Sequence, residues 1–144
     1  MRAYYPVKYR EPIERLSLKY GVDPRLTQAV IHAESKYRPR AKSPAGAVGL
    51  MQLMPSTAAQ AAASAGLVYD PARLTEPEYN IELGVCYLCY LTSKFDLWDA
   101  VAAYNAGESN VRRWLAAGVP YLFPETAAYV RRVRRALNVY KFYG

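Results

Sequence analysis

Proline and glycine cut this chain into short segments, and that punctuation constrains the fold more than any other feature of the sequence. Proline fixes φ near the helical value and lacks an N–H, so it suits the first turn of a helix and disrupts positions further in. Glycine reaches left-handed conformations at little cost and so ends helices. Pro12 stands near the start of a segment, Glu11–Tyr20, that Gly21 closes. Asp23-Pro24 reads as an N-cap followed by the first helical residue, and Leu26, Ala29, Val30 and Ala33 then recur at helical spacing to about Ser35. Pro55 opens Ser56–Ala65, which Gly66 ends. Thr75 and Glu78 have the spacing of a capping box, with Pro77 just inside, before the most apolar segment, about Pro77–Lys94, which is expected to be the central helix. Asp96 is placed to cap a fifth helix through Asn105, and Gly107 breaks it. Ser109 is placed to cap a sixth to Ala117, followed by the break Gly118-Val119-Pro120. Pro124–Tyr140 makes a seventh, with Tyr129, Val130, Val133 and Leu137 in helical phase.

The predicted class is therefore all-α, a compact domain of about seven helices. One irregular stretch interrupts it. Lys36–Val48 is a loop carrying Pro39, Ser43-Pro44 and Gly46, and the short apolar run Gly49–Met54 fits either a strand or a buried turn. No alternating pattern, internal repeat or low-complexity tract is present. With 144 residues, 52% of them hydrophobic and 22% charged, the chain suffices for one folded domain with a real core.

No apolar run approaches the roughly 18 residues that a membrane-spanning helix needs, so no stable membrane insertion is expected of this chain. The start, Met1-Arg2-Ala3-Tyr4-Tyr5-Pro6, lacks the apolar stretch of a signal peptide. That leaves a cytoplasmic protein or one whose targeting or anchoring segment is missing. The net charge of +7 is concentrated late: from Val101 onward there are seven Lys/Arg against Glu108 and Glu125. An anionic partner or surface is implied. Arg112-Arg113 and the group Arg131, Arg132, Arg134 and Arg135 read as solvated helix faces, and no nucleic-acid-binding motif accompanies them, so no nucleic-acid partner is expected. Cys86 and Cys89 form a lone C-x-x-C. Zinc would need further ligands, but there is no other cysteine and His32 is the only histidine. A redox pair usually opens a helix, whereas these lie inside an apolar run. Buried packing cysteines are the favoured reading, with no metal and no cofactor.

Glu34 stands out chemically. It shares a helical face with Leu26 and Val30, and burying its charge there is costly. It also sits at a helix C-terminus, where the partial negative charge disfavours a carboxylate. Both effects raise its pKa and would let it serve as a general acid near neutrality. An exposed glutamate at a frayed helix end fits the local pattern equally well.

Its surroundings bear on the choice. The stretch from Ala33-Glu34-Ser35 through Ser43 to Gly49-Leu50-Met51-Gln52-Leu53-Met54-Pro55 closely resembles the signature of the soluble lytic transglycosylases, the goose-type lysozyme-like enzymes of bacterial cell walls. Asn80-Ile81-Glu82-Leu83-Gly84, Ala103-Tyr104-Asn105-Ala106-Gly107 and Glu125-Thr126-Ala127-Ala128-Tyr129-Val130 resemble the later motifs of that family, in the same order. Ser109 departs from the glycine that many members carry two positions after Asn-Ala-Gly.

The resemblance implies a lysozyme-like helical fold with a glycan-binding cleft, over 9–144, after an N-terminal extension, 1–8. It implies Glu34 as the catalytic acid and base. Ser43 is then a contact to the sugar beside the scissile bond, and Gln52 and Met54 line the groove. Tyr104 and Asn105 support Glu34 and border the cleft, while Tyr129 points its hydroxyl at the acid. Met51, Leu53 and Met54 could each be core; Leu53 is assigned to the core and Met54 to the cleft. Glycosidases commonly pair two carboxylates across the bond. Glu125, Asp96 and Asp99 instead read as helix-start residues, so a single acid is expected.

The implied reaction is cleavage of the β-1,4 bond between N-acetylmuramic acid and N-acetylglucosamine in peptidoglycan strands, leaving 1,6-anhydromuramic acid ends. Hydrolysis and non-catalytic glycan binding are the alternatives. A monomer acting in the cell envelope is expected on the same ground.

Overall fold

The computed structural model describes residues 4–143. Met1, Arg2 and Ala3 of the expected extension, and Gly144, lie outside the described residues. Seven α-helices follow one another: α1 Arg10–Lys19, α2 Pro24–Ser35, α3 Pro55–Ala65, α4 Pro77–Lys94, α5 Leu97–Ala106, α6 Glu108–Ala117 and α7 Pro124–Tyr143, with a short 3₁₀ turn at Pro71–Arg73. Prolines occupy the first helical position of α2, α3, α4 and α7, as their fixed φ favours. The all-α class stands. Among the described residues the only β-type pairing is a pair of isolated antiparallel bridges, Lys42 with Val48 and Val48 with Leu53, so Gly49–Met54 is a buried turn and not a strand.

The caps divide. Asp23 accepts a bond from the Arg25 N–H at 2.9 Å, as its type dictates. Asp96 holds the N-cap of α5 without a side-chain bond. The capping box at Thr75 does not form: Glu76 is the N-cap of α4, because Pro77 at the first helical position sets the boundary one residue later. Ser109 is likewise not a cap. Gly107, at φ 92°, serves both the end of α5 and the start of α6, so Ser109 lies inside the helix.

Two apolar clusters form the interior. The larger gathers Ile13, Leu16, Val30, Ile31, Leu88, Val101, Val133 and Leu137 from α1, α2, α4, α5 and α7. The smaller packs Ala58, Ala61 and Ala62 of α3 on Leu74, Tyr79 and Leu83, with Leu53 beneath. Tyr104 packs against both. The centre is shared between α2 and α4 and does not belong to α4 alone. Every residue from Leu26 to His32 is buried. The polar members of α2 conceal this in the sequence because they find partners inside: Thr27 Oγ1 meets Ser17 Oγ at 2.8 Å, and Ser35 Oγ donates to the Leu50 carbonyl at 2.8 Å. Residues 4–8 also join the body. Tyr5 is buried against His32 and Tyr140, and the Tyr140 hydroxyl donates to the Pro6 carbonyl at 2.9 Å.

Cys86 and Cys89 are free and only half-buried. The facing helix α3 presents small side chains, leaving a pocket of about 500 Å³ that Cys86, Ala61, Ala63 and Ser64 help to line.

The irregular segment is fixed by one buried amide. Asn80 Nδ2 donates to the carbonyls of Val48 (3.0 Å) and Leu74 (2.9 Å), and its Oδ1 accepts from the Met51 N–H at 2.8 Å. Gly49 at φ +86° permits this approach: a Cβ there would lie 2.6 Å from the Leu74 carbonyl oxygen. Asn80→Asp keeps the shape but turns two donors into an acceptor facing two carbonyls. Denaturant unfolding at pH 7 should show a loss of roughly 2–4 kcal/mol, the cost of several unsatisfied buried groups.

Candidate active site

Glu34 lies in the last turn of α2, next to the turn that Asn80 holds. The chain reverses immediately after it: Lys36 and Tyr37 are both left-handed, at φ 52° and 62°. Such a pair is strained for non-glycine residues and needs compensation. The Tyr37 side chain supplies it from the core, its hydroxyl donating to Tyr140 at 3.0 Å. Ser35, the neighbour of Glu34, is pinned to Leu50. The backbone carrying Glu34 is thereby fixed on both sides.

Burial in this setting pushes the Glu34 carboxyl up to about 7. The Tyr129 hydroxyl and the Arg132 guanidinium oppose the rise, and the Glu125 charge adds slightly to it. Loss of hydration outweighs both stabilising neighbours. Tyr129 is 1% exposed, and its buried hydroxyl makes no bond of ordinary hydrogen-bond geometry in the protein. It still lies close enough to Glu34 for each group to influence the other's ionisation. The contact is a loose one, and it gives the acid a polar neighbour without adding charge. Tyr104 also feels the Glu34 charge; its hydroxyl donates to the Met51 carbonyl at 2.6 Å.

A groove of about 240 Å³ opens beside Tyr104, bordered by Gln52, Met54, Thr57, Tyr87, Asn105 and Gly107. The structure brings Gln52, Met54, Tyr104 and Asn105 together here. Met54, at the N-cap of α3, is 40% exposed, while Met51 and Leu53 are buried. Gln52 has a left-handed backbone (φ 48°), and its amide nitrogen donates to the carbonyls of Ala41 (2.9 Å) and Gly49 (3.0 Å). The amide therefore braces the loop as well as facing the groove. Asn105 Oδ1 accepts from Thr126 Oγ1 at 2.8 Å, tying α5 to α7 and leaving the amide nitrogen to act as a donor. Tyr129 and Glu34 are not on the wall of this groove; Tyr104, which senses the charge of the acid, connects them to it. Ser43 is engaged locally: its Oγ accepts from the Ala47 N–H at 3.0 Å, and among the described residues no hydrogen bond joins it to the groove wall.

Tyr87, Thr57, Thr126 and Arg132 escape the sequence reading. Tyr87 stacks on Tyr104 with ring centroids 5.3 Å apart, yet in sequence it is one more apolar residue of α4. Thr126 falls inside the Glu125–Val130 stretch, and the need of the half-buried Asn105 amide for a partner is the signal that could single it out.

The desolvated Glu34 carboxyl is thus coupled to two buried tyrosines, and one of them, Tyr104, also forms the wall of a groove with aromatic and amide sides. The chain belongs to the Transglycosylase SLT domain family, whose profile matches residues 11–118. Among its relatives is the soluble lytic murein transglycosylase of Salmonella typhimurium, 36% identical over 143 residues, covering 90% of this chain and 22% of the relative. The Escherichia coli K12 enzyme of that name is 33% identical over 153 residues, covering 96% of this chain and 24% of the relative. The crystal structure of the 70 kDa soluble lytic transglycosylase of E. coli superposes with a TM-score of 0.92 at 31% identity, covering 99% of this chain and 25% of that one. A structure of a 70 kDa soluble lytic transglycosylase complexed with bulgecin A gives a TM-score of 0.93 at 32% identity, with the same coverage. The chain thus spans about a quarter of the length of these relatives.

The raised carboxyl has a stability consequence. Folding lifts the Glu34 pKa from 4.5 to about 7, so the folded state holds this proton more tightly than the unfolded chain. Stability from this group is present at low pH and is lost as pH rises from about 4.5 to about 7. Glu34→Gln cannot ionise. In thermal or denaturant unfolding it should exceed the parent at pH 8 by on the order of 2–3 kcal/mol, and the gap should close by about pH 4.

Proposed function

We propose that this chain is a peptidoglycan lytic transglycosylase domain, cleaving the β-1,4 bond between N-acetylmuramic acid and N-acetylglucosamine and leaving 1,6-anhydromuramic acid ends. The observation that carries this reading is a single carboxyl tuned to neutrality and coupled to Tyr104, on the wall of a groove that no carboxylate lines. Glu108 is occupied by Arg112 and by the Tyr90 hydroxyl at 2.6 Å, which hold its pKa down. Asp99 accepts from the Tyr121 hydroxyl at 2.7 Å. Glu125 is exposed at the first turn of α7. The names of the relatives, soluble lytic murein transglycosylases, support the same reading.

With one acid, the substrate supplies the nucleophiles. Protonated Glu34 gives its proton to the glycosidic oxygen as the bond to C1 breaks, and the 2-acetamido group of the muramic acid assists. Glu34, now a carboxylate, takes the proton from the C6 hydroxyl as that oxygen closes on C1. Proton and bond counts balance without water. A carboxyl with pKa near 7 suits both halves, since it is neither too weak to donate nor too weak to accept near neutrality. Tyr129 and Tyr104 both sense its charge, while Met54, Tyr87 and Asn105 offer thioether, ring and amide surfaces to the sugars. We assign Gln52 to the same wall and Ser43 to the approach to the scissile bond. The place of action is the cell envelope, in keeping with the murein substrate in the relatives' names. Among the described residues, no helix is long and apolar enough to cross a membrane.

Two measurements test the reading. Purified sacculi digested with the protein should release muropeptides one water lighter than reducing-end products, by mass spectrometry. Glu34→Gln should lower kcat by about 10²–10⁴-fold, the range of general acid–base catalysis. Reducing ends alone would establish hydrolysis in place of the internal cyclisation. In the second measurement, kcat/KM should fall on the alkaline side near pH 7, as Glu34 loses its proton. Tyr129→Phe removes a group that stabilises the carboxylate, so that limb should move to higher pH. Its stability cost should be small, because the hydroxyl removed has no regular partner.

A further inference from the structure

The surface around the site is charged unevenly. On the α1–α4 side the cations are paired: Arg15 with Glu11 and Glu78, Lys19 with Glu82, Arg73 with Glu76. Across α2 and α7, Lys36, Arg132 and Arg135 make no ion pair among the described residues. These three converge on one small crevice, about 60 Å³, walled by Tyr4, Tyr5, His32 and Ala33. It contains no carboxylate of its own. Its size, against about 240 Å³ for the groove, suits a small anionic group and not a sugar ring.

The crevice is built, not incidental. The left-handed Lys36 at the end of α2 carries its ammonium over the Tyr4 ring, 5.8 Å from the centroid. His32 Nε2 lies 2.9 Å from the Tyr4 carbonyl; a carbonyl only accepts, so Nε2 carries the proton. Burial, together with Lys36, keeps this imidazole neutral to lower pH than usual. Tyr5 packs on the ring at a tilt of 33°, centroids 4.5 Å apart. Residues 4–5 therefore complete the pocket, and they lie ahead of the segment that the family profile covers. Ala33, which lines the crevice, is adjacent in sequence to Glu34, and Arg132, on its wall, is the cation that Glu34 feels.

We propose that this crevice seats the terminal carboxylate of the peptide stem carried by the muramic acid of a bound strand. The proposal rests on the glycan reading above. The crevice lies within electrostatic range of the acid, since Arg132 on its wall acts on Glu34, and a stem of four extended residues spans roughly 13–14 Å. Two guanidinium groups and an ammonium supply charge-assisted donors that match a carboxylate, and Arg offers two parallel N–H groups in one plane.

His32 is the only histidine in the sequence, so one imidazole resonance reports on the crevice. Proton NMR titrations would use a synthetic tetrapeptide stem with a free C-terminal carboxylate, the same peptide as its C-terminal amide, and inorganic phosphate. The free acid should raise the His32 pKa, because the bound anion favours the imidazolium. The amide and phosphate should bind about tenfold more weakly, and Arg135→Gln should weaken the free acid by a similar factor. A resonance unmoved by the free acid, or moved equally by acid and amide, overturns the proposal. Tighter binding of phosphate overturns it in favour of a phosphate-bearing polymer. Cleavage assays on peptide-bearing and peptide-free strands separate this from the glycan reading. The parent should prefer peptide-bearing strands, and Arg135→Gln should reduce that preference about fivefold, through KM. Cleavage of both kinds with the preference unmoved overturns the crevice alone. Cleavage of neither overturns the glycan reading, and the His32 titration then decides the crevice.

Discussion

The buried Asn80 amide is the interaction on which the rest of the site depends. It closes the 48–51 turn onto α4 by two hydrogen bonds, to the Val48 carbonyl and from the Met51 N–H, and a third ties in the Leu74 carbonyl. That turn then presents two carbonyls outward, Leu50 to Ser35 on α2 and Met51 to Tyr104 on α5. Three helices and the irregular segment thus converge on four residues of backbone. Gly84 shows how close the packing is, since a Cβ there would lie 2.8 Å from the Met51 Cβ. An acid of altered pKa needs a rigid, dry setting, because any loosening that admits water restores hydration and lowers the pKa again. Asn80 does not touch Glu34, yet it holds the frame that keeps Glu34 desolvated.

Glu34 illustrates a competition decided by burial. A cation and a phenol nearby would ordinarily draw a carboxyl below its open-chain value. Here they moderate a larger desolvation effect and leave the group near 7. Complete burial with no neighbours would drive it much higher and make it a poor base after proton transfer. Strong pairing, of the kind Glu108 has with Arg112, would make it a poor acid. The intermediate result follows from Tyr129 being close but not well bonded, and from Arg132 being exposed, where solvent screens its charge.

Helix existence was legible because proline and glycine act locally, through φ and the missing N–H. Capping was less so: Thr75 and Ser109 have the right type and spacing, but Pro77 and Gly107 fix the boundaries first, through backbone conformation. The burial of α2 was hidden because Thr27, His32 and Ser35 look like surface residues until their partners Ser17, Tyr4 and Leu50 are placed. Glu34 was visible as a carboxylate out of place on an apolar face. Tyr87 and Arg132 were not, because their relevance comes from contacts between helices far apart in the chain. A tyrosine in an apolar run and an arginine in a basic run each have an ordinary local explanation.

Arg132 joins two functions that the sequence keeps separate. It lines the crevice of α2 and α7, and its charge helps to hold the Glu34 carboxyl down. A carboxylate seated in the crevice would partly neutralise that cation, and Glu34 would then hold its proton more tightly. Linkage would make the effect reciprocal: protonation of Glu34 would relieve the repulsion between it and the seated anion, so the protonated form would bind the proposed stem better. The strand would be gripped most firmly in the state ready to donate a proton. In the proposed reaction Glu34 would be a carboxylate after cleavage until it recovered a proton from the C6 hydroxyl, and during that interval the same coupling would weaken the grip on the stem. The coupling acts through one guanidinium and requires no movement of the backbone that Asn80 and Tyr37 hold in place.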